Sequence, residues 1–190
     1  MKRTLLTLAV VLFAAAAGAQ SVSDPKYGSG CVPERDGRVI FERTIATTGL
    51  SSAEIMENAT RWAKGRFVEP IVLSADIREG KGPDDAVTVN ARENIIFKKS
   101  PFETDMAKMD YSFEFRVSDG RCLMTVTDIS YTYEDEREGG GFEYTAEEWI
   151  TDKEAFNKKF TKLRKATGKF RVKTIDLVDT LAKELESALN

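Results

Sequence analysis

A short stretch of strict alternation constrains the fold of this chain more than any other feature of the sequence. From Tyr111 to Val117, apolar residues at odd positions alternate with polar residues at even positions. A period of two places the apolar side chains on one face of a β-strand and the polar ones on the other. Asp119-Gly120, a dipeptide typical of tight hairpin turns, follows at once. The segment predicts an antiparallel sheet with one face on the core and one in water.

Four further strands are predicted from runs of β-forming residues. They are Arg38–Ile45, Ile71–Ile77 (closed by the turn Gly80–Pro83), Ala86–Lys99 and Arg121–Tyr133. In the last of them the apolar residues change parity, which predicts a β-bulge near Thr127-Asp128.

One helix start is especially clear. Ser51 and Glu54 have the spacing of a capping box, and Leu50 and Ile55 occupy the two positions of a hydrophobic staple. They predict a helix that ends near Gly65 or Phe67, before the second strand.

The last third of the chain predicts a loop followed by helices. Residues 134–148 are acidic and contain three consecutive glycines, which is typical of a loop. Thr151 and Glu154 repeat the capping-box spacing. The helix predicted there has an apolar face and is followed by a terminal amphipathic helix. The apolar face of the first of these helices comprises Phe156, Phe160 and Leu163, and Gly168 is predicted to break or cap it.

The element order is strand, helix, four strands and helix. It predicts an α+β fold in which a mostly antiparallel sheet of about five strands carries its helices on one face. Residues 37–190 form one such domain, and residues 20–36, rich in glycine and polar residues, are predicted to be a flexible arm.

The amino terminus has the three parts of a secretory signal peptide. Lys2 and Arg3 precede the apolar run Leu5–Ala17, and small residues at 17–19 suit cleavage before Gln20. Because the run is shorter than the roughly 20 residues that span a bilayer, no transmembrane anchor is expected after cleavage. Residues 1–19 are therefore predicted to be a signal peptide, and the protein to be periplasmic or extracellular.

The two cysteines, Cys31 and Cys122, form a disulfide candidate. Exported proteins seldom keep free thiols, which favours a disulfide. The alternative is two separate thiols.

Composition removes several classes of chemistry. The chain has no histidine, which excludes Ser-His-Asp and Cys-His catalysis and histidine-ligated metals. No catalytic residue, cofactor site or metal ligand is predicted. The formal net charge of −3 argues against a nucleic-acid partner. The basic stretch Lys153–Lys173 is interpreted as a solvated helix face, with an anionic surface or partner as the alternative.

Three aromatic residues beside the glycine-rich loop are the candidates for ligand or partner binding. Phe142, Tyr144 and Trp149 can stack on a sugar or on an apolar group of a partner. The alternative is that the rings pack over the edge of the sheet or the core.

The chain resembles a secreted bacterial family described as a domain of unknown function with a TATA-binding-protein-like fold. The resemblance rests on five segments. They are Val39–Ile45, Leu50–Ile55, Tyr111–Asp128, Trp149–Ala155 and Gly168–Asp176. It implies a curved antiparallel sheet backed by helices, and it implies no activity because the family has none assigned. Shared architecture does not transfer DNA binding.

Together these features predict an exported, non-enzymatic binding or interaction module of the bacterial cell envelope. Its partner would be an envelope protein or a glycan. One alternative is a carboxylate-dependent hydrolase of envelope or dietary polymers, because Asp and Glu are abundant. Another is a structural subunit of an envelope assembly, joined through the basic helix.

Overall fold

A computed structural model describes residues 24–80, 86–135 and 138–190 of the chain. The predicted signal peptide, residues 1–19, and most of the predicted turn Gly80–Pro83 lie outside the described residues. Among the residues described, no helix is both long and apolar enough to cross a membrane.

The described residues form eight strands, four α-helices and a short 3-10 helix, Pro25–Tyr27. The strands are β1 Glu34–Arg35, β2 Arg38–Val39, β3 Phe41–Ala46, β4 Ser74–Glu79, β5 Val87–Lys99, β6 Thr104–Ser118, β7 Arg121–Tyr133 and β8 Phe142–Thr145. The helices are α1 Ser52–Arg66, α2 Ala146–Trp149, α3 Asp152–Ala155 and α4 Lys165–Leu189.

The main sheet is antiparallel throughout, with strand order β3-β7-β6-β5-β4. β8 pairs with the end of β7, and β1 and β2 form a small separate hairpin. The inward side chains of the central strands are buried and pack with the apolar stripes of α1 and α4. The opposite face of the sheet carries mostly polar side chains, with Ile96, Met106 and Leu123 exposed among them. The predicted α+β class and the antiparallel sheet with helices on one face are confirmed.

Two local predictions in the central hairpin are confirmed. Asp119 and Gly120 have φ values of 51° and 67°, as a two-residue turn with left-handed backbone requires. Asp110 pairs with Ser130 and Ser112 pairs with Thr127, so one residue of β6 faces two of β7. The extra residue, Asp128, has φ 51°. This bulge shifts the parity of β7, so its buried side chains lie at even positions before it and at odd positions after it.

Helix α1 starts and ends where the sequence predicts. The Ser51 hydroxyl accepts a hydrogen bond from the Glu54 amide at 3.3 Å. The Glu54 carboxylate accepts one from the Ser51 amide at 2.9 Å. The Ser51 amide and hydroxyl both donate to this carboxylate, which lowers the pKa of Glu54. The helix runs Ser52–Arg66 with Phe67 as its C-cap.

Two strand boundaries differ from the prediction. Residues 71–73 are not part of a strand, because the chain turns there, where the Ile71 and Val72 amides donate to the Val68 carbonyl, and β4 begins only at Ser74. β6 begins at Thr104 rather than Tyr111. Ala107 and Met109, weak β-formers, continue its buried face, which hid the alternation.

The predicted loop over residues 134–148 contains β8 and α2, so that interpretation is wrong after residue 141. A helix does begin after Thr151, as predicted, but its predicted continuation through Phe156, Phe160 and Leu163 is wrong, because α3 ends at Ala155 and the chain turns before α4 begins at Lys165. The Thr151 hydroxyl donates to the Glu147 carbonyl at 3.2 Å instead of capping α3. The capping box forms at Thr145 and Glu148.

Gly168 neither breaks nor caps a helix. It is buried in the first turn of α4, where a Cβ atom would lie 2.7 Å from Cβ of Leu163. The glycine therefore permits the turn before α4 to fold back onto the helix.

The described part of the predicted flexible arm, residues 24–36, packs against α4 and α3. The Lys26 ammonium and the Tyr27 hydroxyl each donate to Asp176 at 2.7 Å. The Gly30 amide donates to Asp152 at 2.8 Å. These contacts join the start of the described chain to its last helix.

The disulfide candidate Cys31–Cys122 is not formed, and both cysteines are free. Cys31 lies near Pro25 and Arg171, close to the end of β7 that contacts the start of α4. Cys122 lies at the opposite end of β7. A strand rises about 3.3 Å per residue, so the length of β7 separates the two cysteines. Their Cα atoms are therefore much farther apart than the ~7 Å that a disulfide tolerates.

We expect the two thiols to react at very different rates. Cys122 is fully buried, and burial raises the pKa of its thiol to about 12, whereas Cys31 is half-buried. Ellman's reagent should therefore modify Cys31 in the native protein more than about ten-fold faster than Cys122, which must wait for opening of the core. A Cys31→Ser variant should lose only the fast phase. Denatured, unreduced protein that releases no thiol would contradict the assignment.

Candidate functional site

The three predicted aromatic residues stack on one another at one end of the sheet. β8 places Phe142 and Tyr144 opposite Tyr133 and Tyr131 of β7. The rings of Phe142 and Tyr144 are 6.2 Å apart and nearly parallel, and those of Tyr144 and Trp149 are 3.7 Å apart at 14°. The structure therefore brings all three predicted residues together.

The aromatic stack rests on the core instead of forming an open platform. Trp149 meets Phe170 edge to face at 5.7 Å, and Trp149 and Tyr144 are half-buried. Their facing surfaces cover each other, and only Phe142, 42% exposed, offers a large accessible area. This geometry favours the packing alternative for Tyr144 and Trp149. A binding role for the three residues stays a prediction.

Apart from the aromatic stack, a concave region lies on the solvent face of the sheet. Three hollows of about 230, 320 and 330 Å³ adjoin there. Each pair of hollows shares lining residues. The first and third share Arg92 and Asp110, the first and second share Ser130 and Thr145, and the second and third share Asp128. We call this connected surface the polar trough.

The bulge in β7 shapes the polar trough. Because Asp128 is the extra residue, Thr127 and Ser130 both lie on the solvent face although their positions differ in parity. Without the bulge, Ser130 would point into the core and Ile129 into water. The bulge therefore places hydroxyl groups of β7 on the solvent face of the sheet while the core face of the strand stays apolar.

An ion pair lies in the polar trough. Arg92 and Asp110 are opposite each other in register, and two hydrogen bonds of 2.8 Å join the guanidinium to the carboxylate. Hydrogen bonding to Asp110 and its charge raise the pKa of Arg92. The described lining holds more carboxylates than guanidinium groups. The acids are Asp110, Asp128, Glu143, Glu147 and Glu148, and the bases are Arg38 and Arg92.

Beneath the start of α4 lies a fully buried arginine that the sequence analysis did not single out. The Arg171 guanidinium donates to the carbonyls of Tyr27 at 3.1 Å, Ile150 at 2.8 Å and Gly28. It also pairs with Asp152 at 2.8 Å. Burial lowers the pKa of Arg171, and the Asp152 charge only partly offsets this. These contacts tie three segments distant in sequence into one unit.

A second buried charge cluster lies between the sheet and the helices. Arg66 of α1 donates to Glu93 of β5 at 3.0 and 3.3 Å and to Glu184 of α4 at 3.0 Å. The Tyr111 hydroxyl also donates to Glu93. Burial and the Glu93 charge raise the pKa of Tyr111.

Sequence reasoning missed Arg171 and Glu93, although a signal was present. Glu93 occupies an odd position in β5, between buried Ala91 and Ile95. Arg171 lies on the buried stripe of α4. A charged residue in the apolar phase of an element is a sign of a paired buried charge, because an unpaired one is too costly to bury.

The region from β3 to β7 carries the family signature. The family model described as "Domain of unknown function (DUF4468) with TBP-like fold" matches residues 41–132. The crystal structure of a DUF4468 family protein from Bacteroides ovatus ATCC 8483 is 32% identical, with a TM-score of 0.79 over 88% of this chain and 95% of that chain. The chain belongs to the DUF4468 family.

A second solved structure shares the fold of this DUF4468 chain. A TBP-like protein from Parabacteroides distasonis ATCC 8503 has a TM-score of 0.68 at 20% identity, over 84% of this chain and 97% of that one. No curated protein matches the chain. The predicted resemblance and the TBP-like fold are confirmed. The family match includes the strands that carry Arg92, Asp110 and the bulge.

Proposed function

We propose that this DUF4468 protein is an exported, non-enzymatic binding module of the bacterial cell envelope, and that the polar trough holds its ligand. The observation that carries the proposal is the trough itself, a concave, polar surface on the solvent face of the sheet. The charged start and apolar run of residues 2–17 support export.

The chemistry of the trough indicates the kind of ligand. Hydroxyl groups of Ser112, Ser130 and Thr132 lie among carboxylates and the Arg92 guanidinium. Such groups recognise a ligand through hydrogen bonds, as sites with a few well-placed polar groups do. The excess of carboxylates favours a neutral or cationic ligand, either a glycan or a polar segment of an envelope protein.

The buried carboxylate argues for binding rather than hydrolysis. Glu93 is the one buried acidic side chain in the described residues, and Arg66 and Tyr111 already engage its oxygens. It lies on the inner face of the sheet, away from the trough. The carboxylates of the trough face solvent, which is the ordinary state of acidic side chains.

The test is a thermal-shift screen of residues 20–190 against neutral glycans and short cationic peptides. A ligand present at about 100 times its dissociation constant should add roughly 2.7 kcal/mol to the free energy of unfolding. We expect a hit whose shift is lost in the Arg92→Gln and Ser130→Val variants. Arg61→Gln on α1, which removes exposed contacts with Glu57 and Asn58 outside the trough, is the matched control and should keep the shift.

Three results would contradict the proposal. If none of these compounds raises the unfolding temperature of well-folded protein, a small ligand of these classes is excluded. A shift that survives both trough variants would locate the ligand elsewhere. Turnover of an envelope glycan that disappears in Asp110→Asn would make the protein a hydrolase.

A further inference from the structure

The turn between α3 and α4 is an unusually cationic surface. An isolated bridge between Phe156 and Leu163 closes it, and the Asn157 amide donates to the Lys162 carbonyl at 2.9 Å. Five exposed cationic side chains project from this turn and the start of α4. They are Lys158, Lys159, Lys162, Arg164 and Lys165. We call residues 157–165 the cationic turn.

These five charges have no ion-pair partner within 4 Å among the residues that the structure describes. Other cations close to them are paired, for example Lys169 with Asp105 at 2.8 Å and Arg171 with Asp152 at 2.8 Å. The protein as a whole is acidic, with a formal net charge of −3. The cationic turn is therefore a local concentration of uncompensated positive charge, which attracts anionic surfaces.

An exposed aromatic ring lies within the cationic turn. Phe160 is 51% exposed and has φ 53°. A bulky residue rarely adopts this left-handed conformation, which glycine takes without steric cost. The chain therefore bears conformational strain where it displays an apolar ring among lysines.

The tip of the β5–β6 hairpin carries a second exposed phenylalanine at the same end of the molecule. Phe102 is 99% exposed, and Lys98 and Lys99 beside it are also exposed. Lys169, four residues after Lys165, pairs with Asp105, three residues after Phe102. The hairpin tip and the cationic turn thus both extend from the end where α4 begins.

The described acidic residues that directly follow β7, Glu134 and Asp135, lie behind the hairpin tip. β7 ends opposite Ala107, so the acidic loop that starts at Glu134 begins several residues short of Phe102 along the strand direction. Asp135 of that loop is paired with Lys108. Glu103 is the acidic residue next to Phe102 in sequence.

We propose that the cationic turn and the hairpin tip dock this protein on the surface of an anionic membrane. The lysines contact lipid headgroups, while Phe102 and Phe160 enter the interfacial layer. Clustered basic residues and exposed aromatic rings are the usual means of such peripheral binding. A soluble polyanion would use the charges but would leave two apolar rings in water, so the rings favour a membrane. This surface is separate from the polar trough, and the two proposals stand or fall independently.

The test is co-sedimentation of the protein with vesicles of phosphatidylcholine alone and of equal parts phosphatidylcholine and phosphatidylglycerol. We expect salt-sensitive binding to the second kind only. Because each basic residue near an anionic surface contributes roughly five-fold, Lys158→Gln with Lys159→Gln should weaken binding about 25-fold. The matched control, Arg61→Gln with Lys183→Gln, makes the same change in charge on α1 and near the end of α4, and should change binding less than about two-fold.

A ring variant separates a membrane from a soluble polyanion. Phe160→Gly relieves the left-handed strain, so the variant should fold, and together with Phe102→Ser it should weaken vesicle binding roughly ten-fold. Three outcomes would overturn the proposal. They are no binding to phosphatidylglycerol vesicles, equal losses in the control, and ring variants that bind as tightly as the unmodified protein. Polyphosphate or duplex DNA bound without vesicle binding would show that the surface recognises a soluble polyanion.

Discussion

Replacing Arg171 with leucine is expected to lower the free energy of unfolding by about 3–5 kcal/mol. The leucine would leave the carbonyls of Tyr27, Gly28 and Ile150 without their donor and Asp152 without its counter-ion. Removing one partner of a buried charged network costs the desolvation of every group left behind. The loss should also release the segment around residues 24–33 from α4.

Urea unfolding measures the loss, and hydrogen exchange of residues 24–33 measures the release. The matched control is Lys26→Met, which removes an ion pair of the same segment that is partly exposed to water. Such pairs contribute under about 1 kcal/mol, so the control should stay close to the unmodified protein. The assignment of Arg171 as the residue that holds this segment on α4 would be contradicted by two results together. The free energy of unfolding of Arg171→Leu would lie within about 1 kcal/mol of that of the unmodified protein, and residues 24–33 would stay protected from exchange.

Asp152 gives the same cluster a pH dependence. Burial acts to raise the pKa of Asp152, but hydrogen bonds from Ser29 and Gly30 and the Arg171 charge lower it overall. A carboxyl group with a lowered pKa stabilises the fold above its unfolded value of about 3.9. That stability is lost as the pH falls through the folded-state pKa. Asp152→Asn should therefore flatten the acid limb of the stability profile below about pH 4.

Glu93→Leu is expected to destabilise the protein by a similar amount, about 3–5 kcal/mol. The substitution would leave the Arg66 guanidinium in a mostly apolar interior with only Glu184, which is more exposed. It would also deprive the Tyr111 hydroxyl of its acceptor. Arg66 already has one nitrogen, Nη1, buried without a hydrogen-bond partner in the described residues, so the site tolerates little further loss.

A double-mutant cycle with Arg66→Met tests the pairing directly. Because Glu93→Leu with Arg66→Met removes both charges, it should be less destabilised than the sum of the single variants by at least about 1 kcal/mol. Urea unfolding of the four proteins at one pH supplies the cycle. Additive losses would show that the two residues contribute through separate contacts, and would contradict a buried ion pair.

The sequence predicts elements best where local chemistry and tertiary packing agree. At Ser51–Glu54 the capping box precedes an apolar stripe that reaches the core at Ile55, and α1 forms as expected. At Thr151–Glu154 the same residue types occur, but the helix stops at Ala155. Phe156 and Leu163 pack against each other across the turn, and this contact competes with helical continuation.

Gly168 shows a second limit of local reasoning. Glycine usually marks the end of a helix, yet here it lies within α4 because Leu163 packs on its Cα. The disulfide prediction failed for a related reason. Compartment and composition favour a bond between Cys31 and Cys122, but only the folded structure shows that Cys31 lies beside Arg171 of α4 whereas Cys122 lies at the far end of β7.

The candidate site was predicted only in part. The stack of Phe142, Tyr144 and Trp149 is present as a group, but its burial depends on how β8 pairs with β7. The polar trough could not be found from sequence, because its lining comes from strands distant along the chain and meets only through register. The bulge near Asp128 was predictable, and it is the one local signal that points to the trough.

The single extra residue in β7 also bears on how the family can vary in length. A one-residue deletion at Asp128 would not merely shorten the strand. It would invert every side chain beyond it, so that Ile129 and Tyr131 would face water and Ser130 would enter the core. Length changes within this strand are therefore expected to come in pairs among relatives, or to occur only where the trough and the aromatic stack are lost together.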